Sequence, residues 1–200
     1  FYVPAEAAPG SIITVNAMAI DTKGQMSKAV PVNITVADAT PPVVRFAGLT
    51  SGEKVKPGEK VTAVVSASDA GGLSSLTFWV SGATVYTETR QIAPAQDSVA
   101  SSFSFNVSPS ADPIGVVVLE AEAMDQAGNK TTSSRVLLPV ADVVPPAVTL
   151  RTGSGSLEMI PGQSVTIIAE ASDQVGVSRI DLTGSGLMIV SDSKGVSPPL

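Results

Sequence analysis

The 200-residue sequence contains no cysteine and no histidine. Without cysteine there is neither a disulfide framework nor a thiol nucleophile, and without either residue zinc sites of the usual kind are excluded. The lack of histidine also removes the acid/base relay on which many hydrolases depend. No nucleophile elbow, phosphate-binding loop or dinucleotide fingerprint is present either, so we predict that the segment is not an enzyme.

Aromatic and charged residues are scarce, at 4% and 15% of the sequence. The 12 basic side chains are outnumbered by 18 acidic ones, which argues against nucleic acid as a partner because phosphates require a basic face. No apolar run approaches the roughly 20 residues of a membrane-spanning helix, so we expect no membrane insertion in this segment. The sequence begins at Phe1 with neither an initiator methionine nor a signal peptide, and we expect it to be part of a longer chain.

What the sequence does contain is a repeat with an offset of 104 positions. Asp38 and Asp142 define this offset (142 − 38). The same offset relates further turn-forming residues: Asp21 to Asp125, Gly24 to Gly128, Pro41 to Pro145, Pro57 to Pro161, Gly58 to Gly162 and Asp69 to Asp173. Because these residues keep one register without a gap, we predict tandem repeats of about 104 residues.

The repeat divides the chain into three parts. Residues 1–37 form the C-terminal part of one repeat, residues 38–141 a complete repeat, and residues 142–200 the N-terminal part of the next. The joints are ADATPP and ADVVPP, in which two prolines fix φ, so we expect each joint to be short and semi-rigid. We also expect each partial repeat to be incomplete in isolation, with exposed sheet edges.

Hydrophobic residues alternate with polar ones throughout the complete repeat. In 61–68 the sequence VTAVVSAS places Val61 and Val65 on one face, and in 116–124 Val117 and Leu119 do the same. Seven strands are predicted near 43–47, 60–68, 74–81, 84–90, 100–107, 115–124 and 132–140. The fold class is therefore all-β, with tandem, cysteine-free immunoglobulin-like β-sandwiches.

Several short segments carry a family resemblance. The joints VADATPPVV and VADVVPPAV, the turns KPGEKV and IPGQSV, and the loops SDAGGLSSL, SDQVGVSRI and AMDQAGNKTT resemble bacterial Ig-like repeats of large surface or secreted proteins, including giant adhesins. The resemblance spans the whole sequence. It implies a non-catalytic spacer in an extracellular, secreted or cell-surface protein, with the neighbouring Ig-like repeats of the same chain as partners.

Two other functions remain open at this point. A module that binds a cell-surface glycan or protein would gather aromatic and arginine side chains on one surface. The sequence offers only scattered ones, namely Phe46, Trp79, Tyr86 and Arg90. The segment could also be an accessory region of an exported enzyme, which a hydrolase domain elsewhere in the full-length chain would indicate.

Three carboxylates are predicted to meet at one end of the complete repeat. In an immunoglobulin-like strand order, the joint with Asp38, the loop with Asp69 and the loop with Asp125 all lie at the same end. Their mutual repulsion would be removed by a Ca²⁺ ion, which takes oxygen ligands. The resemblance to giant adhesins, in which Ca²⁺ stiffens repeat junctions, implies one metal site at Asp38, Asp69 and Asp125. It also implies two-thirds of the next site at Asp142 and Asp173.

The same aspartates have a second interpretation. An aspartate that precedes a glycine-containing turn commonly hydrogen-bonds its own backbone, and Asp21, Asp69 and Asp125 all precede such turns. The repeat does not separate the two roles, because turn formation and cation binding would both retain the carboxylate. We therefore rank turn formation first and Ca²⁺ ligation second, and assign no other cofactor.

Overall fold

The computed structural model describes residues 1–187 and 189–196, and within these residues it contains strands and no helix. Nothing in the described residues therefore forms a helix long and apolar enough to cross a membrane. The strands are β1 (Ile12–Val15), β2 (Met18–Ile20), β3 (Met26–Lys28), β4 (Val32–Thr35), β5 (Val43–Ala47), β6 (Lys60–Gly82), β7 (Tyr86–Asn106), β8 (Val116–Asp125), β9 (Lys130–Thr132), β10 (Val136–Pro139), β11 (Ala147–Thr152), β12 (Ile167–Ser172), β13 (Arg179–Gly184) and β14 (Val190–Gly195).

The central part of the chain, β5 to β10, is a sandwich of two antiparallel layers. In one layer β5 pairs with the first half of β6, which in turn pairs with the second half of β7. In the other layer the first half of β7 pairs with the second half of β6, followed by β8 and then by β9 and β10. Two long strands thus cross from one layer to the other.

The core lies between the two layers and follows the predicted alternation. The inward-facing side chains predicted from the sequence, including Val61, Val65, Val117 and Leu119, are buried. At the centre, Phe78 of one layer stacks on Phe103 of the other with ring centroids 5.0 Å apart. The alternating pattern was therefore a reliable guide to which face of each strand is apolar.

The structure corrects several predicted strand limits. The segments 60–68 and 74–81 are halves of β6, and the segments 84–90 and 100–107 fall largely within β7. β6 has register shifts between Ser68 and Ser75, so a bulge bends the strand between layers where a loop was predicted. The last predicted strand, 132–140, is divided into β9 and β10 around Ser133, whose Oγ accepts the N–H of Ala121 (3.0 Å).

Strand pairing recurs at the offset of 104 residues. Ile12 faces Thr35 in the first segment, and Val116 faces Pro139 in the central sandwich. Likewise Val43 faces Ser68, and Ala147 faces Ser172. The division into 1–37, 38–141 and 142–200 stays a prediction, which this recurrence supports.

The apolar faces of the flanking strands are less covered than those of the sandwich. Val15 of β1 is 37% exposed, whereas Leu119, 104 positions later, is fully buried. In β4, Val32 and Ile34 are likewise exposed, whereas their counterparts in β10 are buried. The sheet pairing of β1 and β4 is thus present, and no second layer formed by the described residues packs on its apolar face.

Candidate cation site at one end of the sandwich

Asp38, Asp69 and Asp125 are brought to the same end of the sandwich. Asp38 precedes β5, Asp69 lies in the bulge of β6, and Asp125 is the last residue of β8. One carboxylate oxygen from each residue lies within 4.8 Å of the other two. The expected convergence is therefore present, although Asp69 reaches it from a bulged strand and not from a loop.

Burial and backbone pairing fix the geometry of this cluster. Asp125 is 1% exposed, Asp69 is 8% exposed and Asp38 is partly buried. The N–H of Gln126 donates to the carbonyl of Gly72 (2.9 Å), which ties the end of β8 to the bulge in β6. Gly72 has a φ of +85°, a conformation that favours glycine, so the bulge depends on this residue.

Each of the three carboxylates also forms a local turn. Oδ1 of Asp38 accepts the N–H of Thr40 (3.0 Å), and Oδ1 of Asp69 accepts the N–H of Gly71 (2.7 Å). In Asp125, Oδ1 accepts the N–H of Asn129 (2.8 Å). The turn interpretation is thereby confirmed. Because a carboxylate has a second oxygen, these turns leave Oδ2 of Asp38 and of Asp69 for a cation, whereas Oδ2 of Asp125 also accepts a hydrogen bond from Nδ2 of Asn129 (2.7 Å).

The negative charges of the cluster are not fully compensated by hydrogen bonds. Oδ2 of Asp38 is buried and receives no hydrogen bond from any described residue. Burial raises the pKa of Asp69, and the neighbouring carboxylates of Asp38, Asp125 and Asp97 raise it further, against the opposing effect of the hydrogen bond from the Gly71 N–H. A buried acceptor without a donor is energetically unfavourable, and a cation would correct it.

The donor set fits a hard cation. All three side chains offer oxygen, which Ca²⁺ and Mg²⁺ prefer, and none offers the nitrogen or sulfur that favours zinc. Three carboxylates also exceed the charge of one divalent ion, so binding would relieve most of the repulsion within the cluster. Because Ca²⁺ takes roughly 6–8 oxygens, backbone carbonyls and water would have to complete its shell.

Sequence reasoning missed three residues at this site. Asn129 donates from Nδ2 to Oδ2 of Asp125 (2.7 Å) and to the carbonyl of Asp38 (3.3 Å), joining the joint to the β8–β9 turn. The preceding copy has Gln25 at this position, and its backbone N–H donates to Oδ1 of Asp21 (2.7 Å), so the repeat preserves the turn without preserving the asparagine side chain. The other two are Asp97, which no sequence motif marks, and Gly71, which lies in the loop SDAGGLSSL but was not assigned to the site.

The aspartates of the flanking copies form the same turns. Oδ1 of Asp142 accepts the N–H of Val144 (3.0 Å), and Oδ1 of Asp173 accepts the N–H of Val175 (2.8 Å). The counterpart of Asp125 would be residue 229, which lies beyond the 200 residues. Among the described residues, only Asp38, Asp69 and Asp125 form a group of three such ligands. The assignment of Asp142 and Asp173 to a second site stays a prediction.

The cysteine-free sandwich with this strand order defines an immunoglobulin-like module. Residues 42–121, which run from the start of β5 into β8, match the model of the family described as Bacterial Ig domain. The predicted all-β fold and the resemblance to bacterial Ig-like repeats are thereby confirmed for the central module. A search among curated proteins found no match.

Proposed function

We propose that this segment is a non-catalytic spacer in an extracellular bacterial surface or secreted protein, such as an adhesin. In this function, tandem Ig-like modules position other parts of the chain at a distance, and Ca²⁺ at the Asp38 joint restricts bending between modules. The recurrence of strand pairing at an offset of 104 residues is the observation that carries this proposal. A periodic chain of small sandwiches is a structural device more than a scaffold for chemistry.

The position of the acidic cluster supports the cation-dependent part of the proposal. Asp38 belongs to the joint, while Asp69 and Asp125 belong to the sandwich. A cation shared by these three residues would therefore fix the direction in which the chain enters the module. The prolines at 41 and 42 restrict the same segment through their fixed φ angles.

The arrangement of large side chains favours a spacer over a glycan-binding or protein-binding module. Tyr86 donates to Glu88 (2.6 Å), Arg90 donates to the same carboxylate (2.7 Å), and the Arg90 guanidinium lies 4.3 Å above the ring of Phe103. These groups lie on the first half of β7, which is the edge strand of its layer, where charged side chains discourage strand addition. They do not gather with Trp79, which lies on the opposite face of β6.

Thermal unfolding of the 200-residue chain in EGTA and in about 10 mM Ca²⁺ tests the cation-dependent part. For a dissociation constant of about 0.1 mM, within the range of extracellular sites, saturation would add about 2.7 kcal/mol to the free energy of unfolding. The melting temperature of a domain of this size would then rise by roughly 4–8 °C per kcal/mol.

Matched variants separate cation binding from turn formation. Asp125→Ala and Asp69→Ala should each abolish the Ca²⁺-induced shift. Asp21→Ala removes hydrogen bonds of the same kind, to the N–H groups of Lys23 (2.9 Å) and Gln25, but Asp21 is not part of the cluster. This control should retain the shift. A melting curve of the unsubstituted chain that does not respond to Ca²⁺ would contradict the proposed cation site.

A further inference from the structure

Gly71 lies directly against the acidic cluster. A Cβ atom built on Gly71 would overlap Oδ2 of Asp38 and lie 2.9 Å from its Cγ and 3.1 Å from Oδ1 of Asp69. Gly71 is not among the residues with positive φ, so its backbone conformation would accept other amino acids. Glycine at this position is therefore required for the space it leaves beside Asp38, and not for its backbone conformation.

A larger residue at position 71 would displace a ligand before it disrupted the fold. The Asp38 carboxylate is the end of a short side chain that receives one hydrogen bond, from the N–H of Thr40 (3.0 Å). Rotation of this side chain would make room for a Cβ atom but would remove its buried oxygen from the cluster. The hydrogen bond between the Gly71 N–H and Asp69 involves only the backbone of residue 71 and would survive.

The next copy of this loop carries such a larger residue. Val175 lies 104 positions after Gly71 and two positions after Asp173, and Asp142 is the counterpart of the joint residue Asp38. The loop retains the turn hydrogen bond of the first copy, because the Val175 N–H donates to Oδ1 of Asp173 (2.8 Å) as the Gly71 N–H does to Asp69 (2.7 Å). The N–H of Gly176 donates to the same oxygen of Asp173 (3.1 Å). The Val175 Cβ atom would therefore occupy the space that the Asp142 carboxylate needs to join a cluster.

We propose that the residue at this position decides whether a joint binds a cation. Gly71 admits Asp38 and creates a Ca²⁺ site at the first joint, whereas Val175 excludes Asp142 and leaves the second joint without one. This inference rests on the proposed cation site. Under it, the first and second joints differ in cation binding instead of being equivalent. It makes Gly71 a specificity-determining residue that acts by positioning Asp38.

The second joint has a direct link that the first cannot form. Nε2 of Gln174 donates to Oδ1 of Asp112 in the central sandwich (2.9 Å), and the same oxygen accepts the N–H of Ile114 (3.0 Å). The residues 104 positions earlier are Ala70 and Ala8, which have no polar side-chain atoms. The second joint, where Val175 replaces Gly71, thus has a side-chain hydrogen bond to the central sandwich that the first joint lacks.

Calorimetric titration of Ca²⁺ into the 200-residue chain tests the inference. The unsubstituted chain should bind one Ca²⁺, and Gly71→Val should weaken binding by about tenfold or more, as the loss of groups that orient a metal ligand typically does. Ala70→Val adds the same side chain at the exposed neighbouring position and should bind within about twofold of the unsubstituted chain. Melting curves in EGTA confirm that each variant is folded, and Gly71→Ala replaces Gly71→Val should the valine variant fail to fold.

A double-mutant cycle with Asp38→Asn separates positioning from a general disturbance of the loop. If Gly71 acts through Asp38, Gly71→Val should weaken Tb³⁺ or Ca²⁺ binding in the unsubstituted chain but add little in the Asp38→Asn background. Additive losses, or Ca²⁺ affinity in Gly71→Val equal to that of the unsubstituted chain, would overturn this inference and leave the cation site intact. An unsubstituted chain that binds no Ca²⁺ would overturn both proposals.

Discussion

Replacement of Asp69 by asparagine should have opposite effects on stability with and without Ca²⁺. In cation-free buffer the substitution removes one of three clustered negative charges, while the asparagine carbonyl still accepts the N–H of Gly71. We therefore expect Asp69→Asn to be more stable than the unsubstituted chain in EGTA at pH 7. In saturating Ca²⁺ the order should reverse, because the substitution removes a charged ligand.

The size of the effect follows from the distances in the cluster. Two unit charges about 4.8 Å apart, the limit on the ligand-atom separations, repel by about 1 kcal/mol at the dielectric constant of water. At an effective dielectric constant of 20 the figure is about 3.5 kcal/mol. Since Asp69 is buried but lies near the surface, we expect Asp69→Asn to raise the free energy of unfolding by about 1–3 kcal/mol.

The pH dependence gives an independent check on the sign. The pKa of Asp69 is raised above its ordinary value of 3.8, first by burial and then by the carboxylates of Asp38, Asp125 and Asp97. The folded state therefore holds the proton more tightly than the unfolded state. Stability from this group is present below the ordinary pKa and is lost as pH rises through the folded-state value. In EGTA, Asp69→Asn should weaken this loss.

Urea unfolding in EGTA at pH values from about 3 to 7, repeated in Ca²⁺ at pH 7, measures these effects. Asp97→Asn is the control, since Asp97 raises the pKa of Asp69 but is not one of the three clustered ligands. It should stabilise the cation-free chain less and should keep most of the Ca²⁺ response. A lower stability of Asp69→Asn in EGTA at pH 7 would refute the electrostatic reasoning, because the turn hydrogen bond would then outweigh the repulsion.

Three further predictions concern the sandwich itself. Phe78→Ala should lower the free energy of unfolding in urea by about 3–5 kcal/mol, because Phe78 is fully buried against Phe103; a loss under about 1.5 kcal/mol would contradict its central position. Ser133→Ala should cost about 1–3 kcal/mol by depriving the buried N–H of Ala121 of its acceptor, with Ser134→Ala nearly neutral; equal effects would contradict this role. The Tyr86 hydroxyl and then the Arg90 guanidinium hold the pKa of Glu88 below its usual value. The stabilising effect of the Glu88 carboxylate is therefore lost as the pH falls through that lowered pKa. Tyr86→Phe should raise the pKa of Glu88, as measured by NMR, and an unchanged pKa would exclude the hydroxyl as the cause.

The apolar faces were predictable from the sequence because strand alternation has a fixed period. Val117 and Leu119 are two residues apart, and this spacing alone places both on the same side of β8. The continuous paths of β6 and β7 were not predictable in the same way. Glycines at 71 and 72 indicate an interruption of a strand, yet they do not distinguish a loop from a bulge that keeps the strand hydrogen-bonded around a corner.

The acidic site shows the same division between what topology determines and what local packing determines. The strand order brings Asp38, Asp69 and Asp125 to one end, so their convergence follows from the sequence once the fold class is known. Whether their oxygens meet depends on the space beside Gly71, which no spacing rule encodes. The substitution of glycine by Val175 is visible in the repeat alignment, but it acquires meaning only when the missing Cβ atom is placed against Asp38. On this proposal, two copies that share the joint and loop aspartates, Asp38 with Asp69 and Asp142 with Asp173, differ in cation binding, and a count of aspartates alone would overestimate the number of sites.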